Sequence, residues 1–303
     1  MSASSPLRSR REAGGTPKPQ RWGVQSETGR LVDVLMGLPD HFSWRVVNAV
    51  AARTARLGLP FDLARAQAQH VGLTDALVAA GVRVHTLPAD PVLPYQVFTR
   101  DSSVMTPWGA LIMQPYRAFR RGETAACLRF YLESEIPIFD IVTAGTAEGG
   151  DLMILKPGLA VCGVSGERTT TEAVAQMRSW FEAEGWDFTS YAFDRHFLHL
   201  DVQLGMAAEG LALVCREAVE AELVGFLQAR RIRVLDVPYA EAMRMGCNVV
   251  ALGDERVLVA AQNPTIAEMC RAEGLEVIEI DVSMFAAAGG SLHCLCQPLR
   301  RED

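Results

Sequence analysis

The sequence predicts an α/β fold: a ring of five ββαβ repeats whose inner loops face a central channel. Three observations predict it. Four strand–turn–strand segments begin at residues 103, 152, 202 and 248, in steps of 49, 50 and 46. A helical stretch and a further short strand follow them, which makes the unit β-β-α-β. The pieces left at the two chain ends add up to a fifth unit. A self-similar period in this range is the mark of propellers and arrays. An open α/β sheet with coincidental spacing is the competing arrangement.

The elements follow in order. A first strand over 31–37 leads to a helix over 63–80 and a strand over 82–87, and the segment 292–296 is expected to complete their sheet. Residues 103–113 read as a hairpin turning at Pro107 and Gly109. Residues 152–163 turn through Lys156, Pro157 and Gly158, 202–214 at Glu209 and Gly210, and 248–260 at Gly253, Asp254 and Glu255. Apolar residues recur with helical periodicity over 171–184, 216–230 and 264–273, the last opening on Pro264, and more faintly over 123–133. Strands over 233–237 and 276–280 close two of the units.

Composition narrows the function classes. The chain has 303 residues, 49% hydrophobic and 21% charged, with a formal net charge of −7. That is the balance of a globular protein and excludes intrinsic disorder. A net negative charge argues against broad nucleic-acid binding through the phosphate backbone. No apolar run approaches the roughly 20 residues of a membrane helix. Seven cysteines, an odd number in apolar contexts, suggest reduced thiols in a cytosolic protein rather than a disulfide framework. Residues 1–21 carry Arg8, Arg10, Arg11, Lys18 and Arg21 against Glu12. Without an apolar core this is no secretory signal. It reads as a disordered basic tail, although its composition also allows a transit peptide, before one domain over 22–303.

Four clusters carry chemistry. In Gly289-Gly290-Ser291-Leu292-His293-Cys294-Leu295-Cys296 two glycines permit close backbone approach, and Cys294 just after them is a candidate nucleophile. If the segment is a strand, Cys294 and Cys296 share a face. Two buried core thiols, or a Cys-x-Cys metal site, are the other readings. The run His196 to Leu204 alternates Leu198, Leu200, Val202 and Leu204 with His199, Asp201 and Gln203. It predicts a strand that puts His199 and Asp201 together as base and orienting carboxylate. The alternative is a polar strand face carrying a hydrogen-bonded histidine. Glu148-Gly149-Gly150-Asp151 and Phe98-Thr99-Arg100-Asp101 each set a carboxylate just before a hairpin. Solvated turn carboxylates are the bland reading, but in a ring these positions are equivalent and face one channel. Carboxylates converging with a Cys and a His suit a cationic substrate. Such a pocket would by itself raise the thiol pKa, so the bound cation would help supply the thiolate.

In this order the four clusters resemble the guanidino-group-modifying enzymes of the pentein fold, which include arginine deiminases, dimethylarginine dimethylaminohydrolases, agmatine deiminases and amidinotransferases. The Trp22 to Leu31 opening also looks like that family's first strand approach, so the resemblance spans nearly the whole chain after the tail. It implies a five-fold pseudosymmetric propeller and a pentein catalytic domain. It implies Cys294 as the nucleophile on the guanidinium carbon and His199 as general acid and base. Glu148 and Asp101 would hold the guanidinium nitrogens, with Asp201 the carboxylate beside the histidine. Arg120 and Arg168 match the pair that binds a substrate carboxylate, with Arg121 a possible shift of one for Arg120. No metal or organic cofactor is required.

The implied activity is a cytosolic hydrolase acting on arginine or an Nω-substituted arginine through a covalent thiouronium, releasing ammonia or an alkylamine. An amidinotransferase, in which an amine replaces water, is the alternative. A non-catalytic pentein binding factor is a third reading, which the Cys/His/carboxylate set disfavours. The expected partner is a small guanidino compound, with no nucleic acid or membrane, and a homo-oligomer is compatible with the chain. His293 stands where arginine deiminases carry Arg, which leaves the substrate within the family open.

Overall fold

The computed structural model describes residues 21–302, so residues 1–20 of the expected tail lie outside the described residues. The first group of elements is β1 (Arg30–Gly37), α1 (Ala49–Arg56), α2 (Leu63–Ala79) and β2 (Arg83–Leu87). The second is β3 (Ser103–Thr106), β4 (Gly109–Ile112), α3 (Arg121–Glu133) and β5 (Ile138–Ile141). Next come β6 (Leu152–Lys156), β7 (Leu159–Val164), α4 (Thr171–Ala183) and β8 (Asp187–Ala192). They are followed by β9 (Leu204–Ala208), β10 (Leu211–Val214), α5 (Ala221–Ala229), β11 (Arg233–Asp236) and the short α6 (Tyr239–Ala242). The last group is β12 (Val250–Gly253), β13 (Arg256–Ala260), α7 (Pro264–Ala272) and β14 (Glu276–Ile280), after which α8 (Ser283–Ala286) and α9 (Leu292–Leu295) lead into β15 (Gln297–Glu302).

Pairing repeats from group to group. A hairpin pairs antiparallel, and the strand after the crossover helix returns parallel to the hairpin's second strand. β15 supplies the first strand that the opening group lacks: it runs antiparallel to β1, with Leu35 opposite Gln297, while β2 lies parallel on the other side of β1. Five three-stranded sheets result, one of them joined from the two ends of the chain.

The first and middle strands of each sheet are largely buried on both faces because each sheet is sandwiched between two others. Along β6, Leu152 and Ile154 pack with Val104 and Leu111 of the preceding sheet, while Met153 and Leu155 pack with Leu204, Met206 and Ala212 of the next. Leu211, Leu213, Val257 and Val259 fill the following gap, and Val250, Leu252 and Leu258 meet Val34 and Met36. Leu35, Leu87 and Leu299 then meet Met105 and Ile112. Five sheets with five apolar seams close a ring. Each fully buried aliphatic side chain in a seam is worth about 1.5–3 kcal/mol of transfer free energy, so the seams bind each sheet to both neighbours.

Three local expectations are corrected. Residues 292–296 do not complete the first sheet: Leu295 N–H donates to Ser291 O and Cys296 N–H to His293 O, which winds the segment into α9 and delays pairing to Gln297. Cys294 and Cys296 therefore do not share a strand face. The helix expected over 216–230 is confined to Ala221–Ala229, because Arg216 N–H is held by Asp236 and Glu220 N–H by Tyr191. Residues 198–204 are not one strand. Gln203 N–H closes on Leu200 O, Asp151 takes the Leu200 N–H, and Leu198 sits at φ 63°. A 3-10 turn, Leu200–Val202, precedes β9.

Candidate active site

The first strands of the five sheets, β3, β6, β9, β12 and β15, each follow a short turn, and these turns meet at one end of the ring. Thr99–Asp101, Gly149–Asp151 and Leu200–Val202 are single 3-10 turns, residues 245–249 form the fourth and α9 the fifth. They deliver Asp101, Glu148, His199 with Asp201, Asn248 and Cys294, all at least nine-tenths buried. Two glycine positions make the convergence possible. At Gly150 a Cβ would lie 2.7 Å from His199 Nδ1. Gly289 has φ +95°, and a Cβ there would meet the Asn48 amide, whose Nδ2 ties the loop down at Ala288 O.

Cys294 Sγ lies 3.5 Å from Asp201 Oδ2 and 3.3 Å from Asn248 Nδ2. Asn248 Oδ1 accepts from the backbone N–H groups of His293 and Cys294, at 3.0 and 3.4 Å. His199 Nε2 is 2.7 Å from Glu148 Oε2, and its Nδ1 is 3.7 Å from Asp101 Oδ1. Arg168 donates to Glu148 at 3.0 Å and to Val47 O. Arg120 donates to Asp101 at 2.7 Å and, through Nε and Nη2, to Glu123. Asp101 Oδ1, Asp201 Oδ1 and His199 Nδ1 are buried without a hydrogen-bond partner. A group with several N–H donors in a plane, as a guanidinium has, would satisfy both carboxylate oxygens.

The charges tune one another. Burial pulls His199 down, but the Asp101 charge and the Glu148 hydrogen bond outweigh it and leave the imidazole pushed up to about 9. Burial pushes Glu148 up, yet Arg168, His199 and Arg120 hold it well below the usual carboxylate range. The Cys294 thiol is pushed far up by burial and then by the Asp201 and Asp101 charges. The resting site therefore pairs a protonated histidine with a neutral thiol. Asp101, Glu148 and His199 each bring one ligand atom within 4.8 Å of the others, a spacing that suits a cation. Among the described residues, the cations within reach of these carboxylates are the guanidinium groups of Arg120 and Arg168 and the His199 imidazolium.

Beside Arg168, a cavity of about 390 Å³ is lined by Val47, Arg117, Glu167, Arg168, Arg195 and His196. Behind the cluster, a void of about 10 Å³ touches Glu27, Asp201, His293 and Arg301. A further cavity, about 790 Å³, lies among the hairpin turns at Glu209–Gly210 and Gly253–Arg256, at the far ends of their strands from the cluster.

The structure brings together Cys294, His199, Glu148, Asp101, Asp201, Arg120 and Arg168. It places Arg120, rather than Arg121, in the cluster. One pairing is corrected: Asp201 is not hydrogen-bonded to His199, because the 3-10 turn between them breaks the alternation that would put both on one face. Asp201 Oδ2 instead accepts from His293 Nδ1 at 2.9 Å, and Glu148 is the histidine's partner. Three residues escaped the sequence reading. Asn248 occupies the fourth turn, the position the repeat spacing itself marks. Glu123 saturates Arg120, an i,i+3 pair that looks like any helical ion pair. Asp151 holds Leu200 N–H at 2.8 Å and Thr169 Oγ1 at 2.6 Å, and Thr169 Oγ1 accepts from Glu148 N–H. Asp151 thereby fastens the Glu148 turn to the His199 turn.

Residues 48–301 match the profile of a family described as N,N dimethylarginine dimethylhydrolase, eukaryotic. An uncharacterized protein of Bacillus subtilis, YkgA, is 29% identical over 291 residues, covering 95% of this chain and 98% of its own. An N(G),N(G)-dimethylarginine dimethylaminohydrolase of Pseudomonas aeruginosa is 29% identical over 246 residues, covering 80% of this chain and 91% of its own. Among solved structures, a cysteine-to-serine variant of the Pseudomonas aeruginosa enzyme in complex with citrulline superposes with a TM-score of 0.75 at 24% identity. It covers 88% of this chain and 99% of that one. The fold is that of the pentein propellers.

Proposed function

The chain belongs to the N,N-dimethylarginine dimethylhydrolase family, and from that membership we propose that it hydrolyses arginine or an Nω-methylated arginine through a covalent adduct on Cys294. At the coarser level the chain is a hydrolase of carbon–nitrogen bonds in linear amidines. The observation that carries the finer reading is the pair of partnerless carboxylate oxygens, Asp101 Oδ1 and Asp201 Oδ1, in a buried cluster that also holds the Cys294 sulfur.

The substrate guanidinium docks against Asp101, Asp201 and Glu148, and its positive charge offsets the carboxylates that hold the thiol protonated. As the substrate binds, the thiol releases its proton to solvent; the thiolate attacks the guanidinium carbon, and a carbon–sulfur bond forms as the central carbon becomes tetrahedral. His199 gives its proton to the departing nitrogen, the carbon–nitrogen bond breaks, and ammonia or an alkylamine leaves. The remaining thiouronium is attacked by water, whose proton passes to the now neutral His199. As the carbon–sulfur bond breaks, the adduct's hydroxyl proton passes to the departing sulfur, which frees the ureido product and restores the thiol. Splitting one hard displacement into two is the gain of covalent catalysis. Glu148 fixes the His199 ring. Arg168, at the floor of the 390 Å³ cavity, takes the substrate's α-carboxylate, with Arg120 behind it. A cytoplasmic location is part of this proposal, and the seven free cysteines support it. No helix among the described residues is long and apolar enough to cross a membrane.

The test is product analysis by mass spectrometry with arginine, monomethyl- and dimethylarginine, agmatine, and arginine plus glycine, each beside Cys294→Ser. A ureido product that disappears in the variant is expected. A guanidino product formed only with the acceptor amine would replace hydrolysis by amidino transfer.

A further inference from the structure

His293 is a buried ring with a carboxylate at each nitrogen. Nδ1 lies 2.9 Å from Asp201 Oδ2 and Nε2 3.3 Å from Glu27 Oε2. Ionised carboxylates only accept, so both ring nitrogens must carry protons for both contacts to be hydrogen bonds. Glu27 is anchored from behind by Arg100, whose Nη2 donates to its Oε1 at 2.7 Å and to Leu152 O at 2.9 Å. The chain Arg100–Glu27–His293–Asp201–Cys294 thus alternates in charge from cation to anion to cation to anion, and ends on the sulfur. It joins the approach to β1, the turns before β3 and β9, and α9, and nothing in it is more than a tenth exposed.

We propose that His293 is an imidazolium and a positioning residue: wedged between Glu27 and Asp201, it fixes Asp201 against the Cys294 sulfur and offsets that carboxylate's charge at the thiol. This rests on Cys294 being the nucleophile. Without the imidazolium, Asp201 would face the sulfur as an uncompensated buried anion, and Glu27 would keep only the guanidinium of Arg100 and the field of Arg301. The groups facing each member are few. Around Cys294 they are Asp201, Asp101 and the Asn248 amide, and around Asp201 they are His293, His199, Cys294 and the buried Asp151 carboxyl. Around His293 they are Glu27, Asp201 and Arg100, and around Glu27 they are Arg100, His293 and Arg301. Burial and Arg100 act against the imidazolium, but the two carboxylates prevail and hold His293 above its ordinary value.

The experiment is His293→Gln, which keeps a side-chain amide near both carboxylates and removes the charge. The rate at which iodoacetamide alkylates Cys294 is followed against pH by peptide mass spectrometry. The midpoint is expected to rise by about one pH unit, the size of a lost unit charge several ångströms from the sulfur. An unchanged midpoint in a folded variant overturns the proposal. Should the variant not fold, the unmodified protein carries the test through 15N-labelled histidine spectra at pH 8. Of the six histidines, His199 and His293 are expected as imidazolium, and one such signal is expected to remain in His199→Asn. None remaining overturns the proposal. Turnover by Cys294→Ser would instead remove the nucleophile, an outcome that the alkylation midpoint does not depend on.

Discussion

The Cys294 thiol is hydrogen-bonded to Asp201, 3.5 Å from its Oδ2, and not to His199. The nucleophile therefore rests beside an anion that stabilises its protonated form, while the histidine sits locked on Glu148. Activation has to come from what binds.

Alkylation of Cys294 should discriminate by reagent charge. Burial and the Asp201 and Asp101 charges push the thiol well up, so neutral iodoacetamide is expected to react slowly at pH 7 and faster as pH rises. A haloacetamidine of similar size, being cationic, should react at least about tenfold faster at pH 7, the equivalent of one pKa unit. Equal rates for the two reagents would show that the pocket charge does not control the thiol.

His199→Asn should lower kcat by about 10²–10⁴-fold, the range for a positioned general acid and base. Mass spectrometry of quenched reactions should show any adduct on Cys294 persisting longer in the variant, because water must then attack it without a base. A variant within threefold of the parent would exclude the role.

The same residue couples stability to pH. Its folded value, about 9, stands above the model-peptide 6.5. The stabilisation is therefore complete below pH 6.5 and is lost as pH rises through about 9, by roughly 3 kcal/mol across that window. Denaturant unfolding at pH 6 and pH 9.5 should show that loss in the parent and a flatter profile in His199→Asn.

Two glycines separate site geometry from stability. Gly150→Ala puts a Cβ 2.7 Å from His199 Nδ1 and should abolish turnover while the protein still folds. Gly225→Ala, within α5 with nothing within 4 Å of the added carbon, should leave kcat unchanged and raise stability by about 0.5–1 kcal/mol. Thermal melts and turnover measured together check both.

Asn248→Ala removes both backbone N–H contacts at α9 and the donor to Cys294. The orphaned buried donors should cost about 1–3 kcal/mol of stability, and kcat should fall because the sulfur is no longer held. Unchanged melting and turnover would show that α9 is fixed by its apolar contacts alone.

What the sequence by itself determined is periodic. Alternating apolar residues in the hairpins, turn residues at Gly109, Gly158, Gly210 and Gly253, and helix starts such as Pro264 are local consequences of backbone geometry. Their recurrence at a fixed spacing marked which turns would converge, and Asp101, Glu148, His199 and Cys294 sit at those turns. The tertiary structure alone decided who pairs with whom. Period-two alternation put Asp201 with His199, but the buried Asp151 carboxylate captured the Leu200 N–H and bent that segment into a turn, sending Asp201 to His293 and Cys294. Likewise the fifth sheet is completed by Gln297–Glu302, because α9 must wind before pairing begins. Asn248, Glu27 and Arg100 acquire their places from contacts between segments about 45 to 270 residues apart. No local pattern encodes such contacts, since their partners are brought together only when the five apolar seams close the ring.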